Sequence, residues 1–221
     1  MYVSVKASRL AIIAVSCIAL TACSTTQPNS YSGISSSSKL MPNQNNDTGR
    51  VPYSYSTPVE WRKYNAIIID PVAIYRGPDQ QFGDMADKDK DALASYMQTK
   101  FTEKLAPRFT LTRNPAPNTL RLKLTLTGAE TNTPVLATLS RFDIFAGIYN
   151  GVQNARDREG TLTGSVIYAV EVYDATSDRL LSAFVTKQYP RPWSLGASMG
   201  SLAASKAGIE KGADALADHL K

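Results

Sequence analysis

The sequence predicts an α+β fold: a mostly antiparallel sheet with two long helices packed on one face, preceded by a signal peptide and a disordered tether. Three observations predict it. Leu120, Leu122, Leu124 and Leu126 alternate with Arg121, Lys123, Thr125 and Thr127, the period-two pattern of a strand with one face in the core. Leu93, Met97, Phe101 and Leu105 recur at spacing four, and Met199, Leu202, Ile209, Ala213, Leu216 and Leu220 recur at threes and fours, so each segment carries the apolar stripe of an amphipathic helix. Two β-rich runs, from about Thr161 to Tyr173 and from Leu180 to Gln188, flank Asp174-Ala175-Thr176-Ser177-Asp178, which has the polar composition of a hairpin loop.

The first element is a leader. Met1 to Leu10 carry Lys6 and Arg9 and no acid, and Leu10 to Leu20 form an apolar run of eleven residues. A membrane-spanning helix needs about 20 apolar residues to cross roughly 30 Å of hydrocarbon, so this run has the layout of a signal peptide instead. It ends in Leu20-Thr21-Ala22-Cys23, which resembles the bacterial lipobox, where small residues precede a cysteine that receives a diacylglycerol thioether and becomes the first mature residue. An ordinary secretory signal that contains a cysteine is the alternative. By resemblance to Gram-negative sorting rules, Ser24 in place of Asp favours the periplasmic face of the outer membrane. Cys17 leaves with the signal and Cys23 is alkylated, so the mature domain holds no thiol and no intramolecular disulfide.

Residues 24 to 57 are dominated by Ser, Thr, Asn, Gln and Pro, including Ser35-Ser36-Ser37-Ser38 and Asn43-Gln44-Asn45-Asn46-Asp47. This composition reads as a flexible tether that stands the domain off the bilayer, or else as extended strands hugging its surface. The predicted organisation is a signal peptide at 1–22, the lipidated Cys23 with a tether over 23–57, and one periplasmic domain at 58–221.

In that domain Ala66-Ile67-Ile68-Ile69 is a short β-branched run. Pro71 cannot donate to a ladder, so the strand ends or bulges there, and Val72 to Ile74 resume it. The first helix begins after Asp84 with an acidic turn and is terminated by Pro107. Phe109 and Leu111 then alternate with threonines. The Leu120 strand and the two hairpin strands follow, and the last helix comes after the breakers Pro190 and Pro192.

Tyr31-Ser32-Gly33 shortly after the cysteine, Trp61 and Tyr64 leading into Asp70-Pro71-Val72, and Glu171 with Asp174-Ala175 before a last strand resemble the bacterial lipoprotein family numbered 3313 among the domains of unknown function. The likeness covers nearly the whole mature chain. Ile34 and the serine run stand where the family pattern has an aromatic and an Asp-Tyr, and Ser177 stands where a hairpin glycine is usual. The resemblance implies an envelope lipoprotein and supplies no catalytic residues.

Composition and motif context exclude several chemistries. Lys plus Arg number 24 against 19 Asp plus Glu, and without Lys6 and Arg9 the balance is 22 against 19, or +3. A nucleic-acid footprint needs a concentrated basic face, which this scatter does not provide. Gly196-Ala197-Ser198-Met199-Gly200 matches the nucleophile-elbow spacing, but no strand precedes it and the sole histidine, His219, lies in the same predicted helix about 30 Å away. Asp87-x-Asp89-x-Asp91 begins like a calcium loop, yet Ala92 and Gln98 replace the glycine and the bidentate glutamate that such a loop requires. Gly196, Gly200, Ala204, Gly208 and Gly212 recur every fourth residue and predict close packing of the last helix on its own sheet, with self-association through this line as the alternative. No metal and no cofactor is expected.

In Val135 to Val152 only Arg141 and Asp143 are charged, and Leu139, Phe142, Phe145, Tyr149 and Val152 follow helical spacing with Ile144 and Ile148 beside them. The segment reads as plain core or as an element that meets a bilayer or a partner, with Phe142, Phe145 and Tyr149 as the partner-binding residues. The functional expectation is a lipid-anchored, non-enzymatic binding or adaptor module, joined to the membrane through Cys23 and contacting another envelope protein or glycan. A lipid or small-ligand carrier and a lipid-anchored hydrolase are the rivals.

Overall fold

A computed structural model describes residues 26–44, 46, 48–131, 164–190 and 200–221. Their eight strands form one sheet: β1 (Met41–Pro42), β2 (Tyr53–Ser56), β3 (Ala66–Ile69), β4 (Ala73–Ile74), β5 (Thr110–Leu111), β6 (Thr119–Glu130), β7 (Ser165–Asp174) and β8 (Leu180–Gln188). The spatial order is β1-β2-β8-β7-β6-β3-β5, with β4 also on β6. The helices among the described residues are α1 (Asp87–Leu105) and α2 (Ala203–His219).

This corrects the expected fold of two long helices on a mostly antiparallel sheet. The sheet is mixed: β3 runs parallel to both β5 and β6, and β4 runs parallel to β6. The reason is α1, which lies between β3 and β5 in the chain and carries it back across the sheet, and a return through a crossover helix yields parallel neighbours. Antiparallel pairing holds from β6 through β7, β8 and β2 to β1. Pro71 interrupts the β3–β4 edge as its missing donor requires. Ile69 pairs with Leu122 and Ala73 with Thr125, four steps against three, and the Val72 amide across the break donates to the Gln98 side chain of α1 at 2.9 Å.

The two faces of the sheet are covered differently. On one, Leu120, Leu122, Leu124 and Leu126 of β6 and Val166, Tyr168, Val170 and Val172 of β7 meet Leu93, Met97, Phe101 and Leu105 of α1 and Ile209, Ala213 and Leu216 of α2. Each such fully buried Leu, Ile or Phe contributes roughly 1.5–3 kcal/mol. On the other, Ile167, Ala169, Tyr173, Ala183 and Val185 are covered by Tyr31, Ile34, Leu40 and Tyr75. Strand β7 is therefore buried on both sides, and its apolar residues run continuously instead of alternating.

The second cluster also corrects the disordered tether. The described residues between Thr26 and Thr57 belong to the domain: Tyr31 is wholly buried, and β2 pairs with β8 in the order Tyr53 with Val185 to Ser56 with Ser182. The surface-hugging extended strands that the sequence left open describe this stretch. A serine-rich composition conceals it because its anchors are few and widely spaced.

Helix α2 approaches the sheet through its small residues. A Cβ at position 212 would stand 1.7 Å from the Tyr168 hydroxyl, and Tyr168 is itself buried. Gly212→Ala should destabilise the domain by about 1–3 kcal/mol, as overpacking of a filled core does. Adding Tyr168→Phe should return part of that loss in chemical denaturation. An unchanged denaturation midpoint for Gly212→Ala contradicts the packing described.

Candidate functional site

The site is built on the outer face of the sheet, where the N-terminal strap crosses β6 and β7. Tyr75, at the end of β4, holds the near side of the strap. Its hydroxyl accepts a hydrogen bond from the Gly33 amide at 3.0 Å and donates to Asp79 Oδ1 at 2.6 Å, while Asp79 Oδ2 accepts from the Ser32 amide at 3.0 Å. The Tyr31 ring stacks edge-on against Tyr75 at 5.4 Å, and its hydroxyl donates to Gln81 Oε1. A Cβ at Gly33 would lie 2.9 Å from the Tyr75 ring and one at Gly77 2.2 Å from its hydroxyl, so both glycines are required by close approach. This accounts physically for Tyr31-Ser32-Gly33.

Glu171 holds the far side. It stands on β7 between Val170 and Val172, is 3% exposed, and accepts from the Ser36 amide at 2.6 Å and from the Tyr173 hydroxyl at 3.2 Å through Oε1. Lys123 is its cross-strand partner on β6 and places its ammonium over the Tyr173 ring at 4.7 Å. Burial and the Glu171 carboxylate push the Tyr173 phenol above its ordinary value.

Between these two anchors the strap leaves a groove of about 570 Å³. Ser32 to Ser35 form one wall, Asp70-Pro71 and Ala73 to Pro78 the other, and Lys123, Thr125 and Glu171 lie on the floor. Asp70 pairs with Arg121 at 3.5 Å beside it. The lining thus mixes two carboxylates, Asp70 and Glu171, with the cations Arg76 and Lys123 and with the polar backbone of the strap. The remaining lining, including Ile34, Pro71, Ile74, Pro78 and Leu124, is apolar, so a few charged and polar groups stand in a mostly apolar groove.

Cys23, Phe142, Phe145, Tyr149 and Ser198 lie outside the described residues. His219 sits at the C-terminal end of α2, its ring 5.6 Å from that of Trp61, and burial lowers its pKa. Asp87 in the first turn of α1 accepts from Lys90 at 3.0 Å. Sequence reasoning did not single out Tyr75, Asp79 and Gly77. Their signal was the turn-like run Tyr75-Arg76-Gly77-Pro78-Asp79, and that of Glu171 was a lone acid inside an apolar strand.

The family described as "Protein of unknown function (DUF3313)" matches residues 30–216, and the chain belongs to it. No curated protein matches the chain. Among solved structures it is similar to a PelC dodecamer from Paraburkholderia phytofirmans, with 12% identity and a TM-score of 0.40 over 74% of this chain and 94% of that one. It is also similar to a hypothetical protein from Chlamydia trachomatis, with 7% identity and a TM-score of 0.34 over 71% and 98%. A third is a Xanthomonas campestris protein of family DUF330, with 10% identity and a TM-score of 0.33 over 75% and 86%.

Tyr75→Phe keeps the ring and removes the hydroxyl that serves both Gly33 and Asp79, and it should cost about 1–3 kcal/mol in chemical denaturation near neutrality. The Asp79 carboxyl is held below its ordinary value of 3.8, first by the Tyr75 hydroxyl and also by the Ser32 amide. Its contribution to holding the strap is therefore complete above 3.8 and lost as the pH falls through its lowered value. Asp79→Asn should flatten that part of the acid titration, and an unaltered profile contradicts the assignment.

Proposed function

We propose that this member of the DUF3313 family is a lipid-anchored protein on the periplasmic face of the outer membrane whose domain binds another envelope component, a protein or a glycan, as a non-enzymatic adaptor. The observation that carries the reading is Leu20-Thr21-Ala22-Cys23, which follows a short basic and apolar leader. Each acyl methylene buried in a bilayer contributes about 0.8 kcal/mol, so several chains on Cys23 hold the protein there almost permanently. Among the described residues no helix is long and apolar enough to cross a membrane. Attachment in this reading falls to the acylated cysteine.

The groove under the strap supports the binding role. It is open to solvent and carries Asp70, Arg76, Lys123 and Glu171 beside its apolar lining, which suits a peptide or a sugar chain better than an acyl chain, since a lipid carrier calls for an enclosed apolar cavity. A hydrolase reading would need His219 near a nucleophile, but that ring packs against Trp61 at the far end of α2 from Gly200.

Mass spectrometry of the mature protein should show a diacylglyceryl adduct on Cys23, and the protein should leave membranes only with detergent. Cys23→Ala should lose both properties. A wild-type protein that salt alone releases contradicts the reading.

A further inference from the structure

The strap has a consequence for how the domain stands on a membrane. Lys187, whose side chain is 2% exposed, donates from Nζ to the Thr26 carbonyl at 2.9 Å and lies 3.6 Å from Glu130 Oε2. The Gln81 side chain donates to the Gln27 carbonyl at 2.8 Å, and the Asn29 amide donates back to Gln81 at 3.2 Å. Gln81 is itself bridged to Gly128 of β6. Thr26 is thereby fixed at one end of the sheet, where it lines a groove with Glu130 and Thr131. At this same pole β6 ends, β7 begins, β8 ends and α2 begins, and Ser205 near the start of α2 donates to the Ser165 carbonyl at 3.0 Å.

Cys23 is three residue steps from Thr26, and fully extended chain covers at most about 3.3–3.6 Å per step, or roughly 11 Å in all. A flexible tether of 24–57 would instead have placed the domain at a root-mean-square distance of about 30 Å. Resting on the reading of Cys23 as the acylated residue, we infer that the pole carrying Thr26, Thr131 and Gly164 faces the lipid bilayer and is held against it without stand-off. The Asp174–Arg179 turn, at the other end of β7 and about 30 Å away along that strand, points into the periplasm.

The test uses the lipidated, mature protein in phosphatidylethanolamine–phosphatidylglycerol vesicles carrying an acceptor-labelled headgroup. Thr131→Cys and Ser177→Cys place a donor dye at two exposed positions, one at each pole. Energy transfer from position 131 should exceed that from 177 several-fold, and a long Gly/Ser insert between Ser24 and Thr26 should bring the two together. Equal transfer from both sites, with the acyl adduct present on Cys23 by mass spectrometry, overturns the orientation alone. Absence of the adduct overturns the lipoprotein reading and the orientation with it.

Discussion

Glu171 places a carboxylate on the face of β7 opposite the helices, in a strand whose adjacent residues are valines. A buried charge without partners costs several kcal/mol, so the position is tolerable only if donors are brought to it. Tyr173, two residues along the same face, brings one, and the Ser36 amide brings the other. The second donor exists only when the strap lies across the sheet. Once Ser36 is there, Ile34 and Leu40 fall onto Ile167, Ala183 and Val185, and Tyr31 reaches Tyr75. The groove beneath the strap and the burial of both faces of β7 depend on that placement.

The mixed sheet serves the same arrangement. Because α1 carries the chain over to β5, β3 and β4 run parallel along one edge of β6 and end with Tyr75 and Asp79 beside the strap. A purely antiparallel meander would have left that edge without a turn to receive Gly33. The helices fill the opposite face, where the small residues of α2 let it sit close to β7 and β8. Strap and helices therefore enclose the central strands from two sides with little overlap in the residues they use.

Much of this was legible in the sequence, and the parts that were not share a cause. The leucine alternation located β6, the apolar spacings located both helices, and Pro71 marked the break between β3 and β4, because each is a local pattern repeated along one element. Parallel pairing was missed because it depends on which strands a crossover brings together, and no local pattern records that. The strap stood only as one of two readings because its composition is that of a linker. Its contacts come from single residues, Tyr31, Gly33, Ile34, Ser36 and Leu40, each matched to a partner more than forty positions away. Glu171, Asp174 and Tyr64 were visible as parts of a family likeness, and the structure gives them structural roles. Asp174 accepts the Thr176 and Ser177 amides of the hairpin turn and the Tyr64 hydroxyl at 2.9 Å.

A protein whose N-terminal stretch is part of its fold presents a defined surface to whatever it binds, whereas one on a long tether presents only reach. Native-state hydrogen exchange on the mature chain separates the two most directly, since amides of a docked strap open only with sub-global or global unfolding and those of a linker exchange freely. The Gly33 and Ser36 amides should be protected to a degree that approaches the β7 and β8 amides, and Glu171→Ala should release Ser36 before the helices are affected. Free exchange of Gly33 and Ser36 in the wild-type protein, with β7 and β8 still protected, would contradict the account.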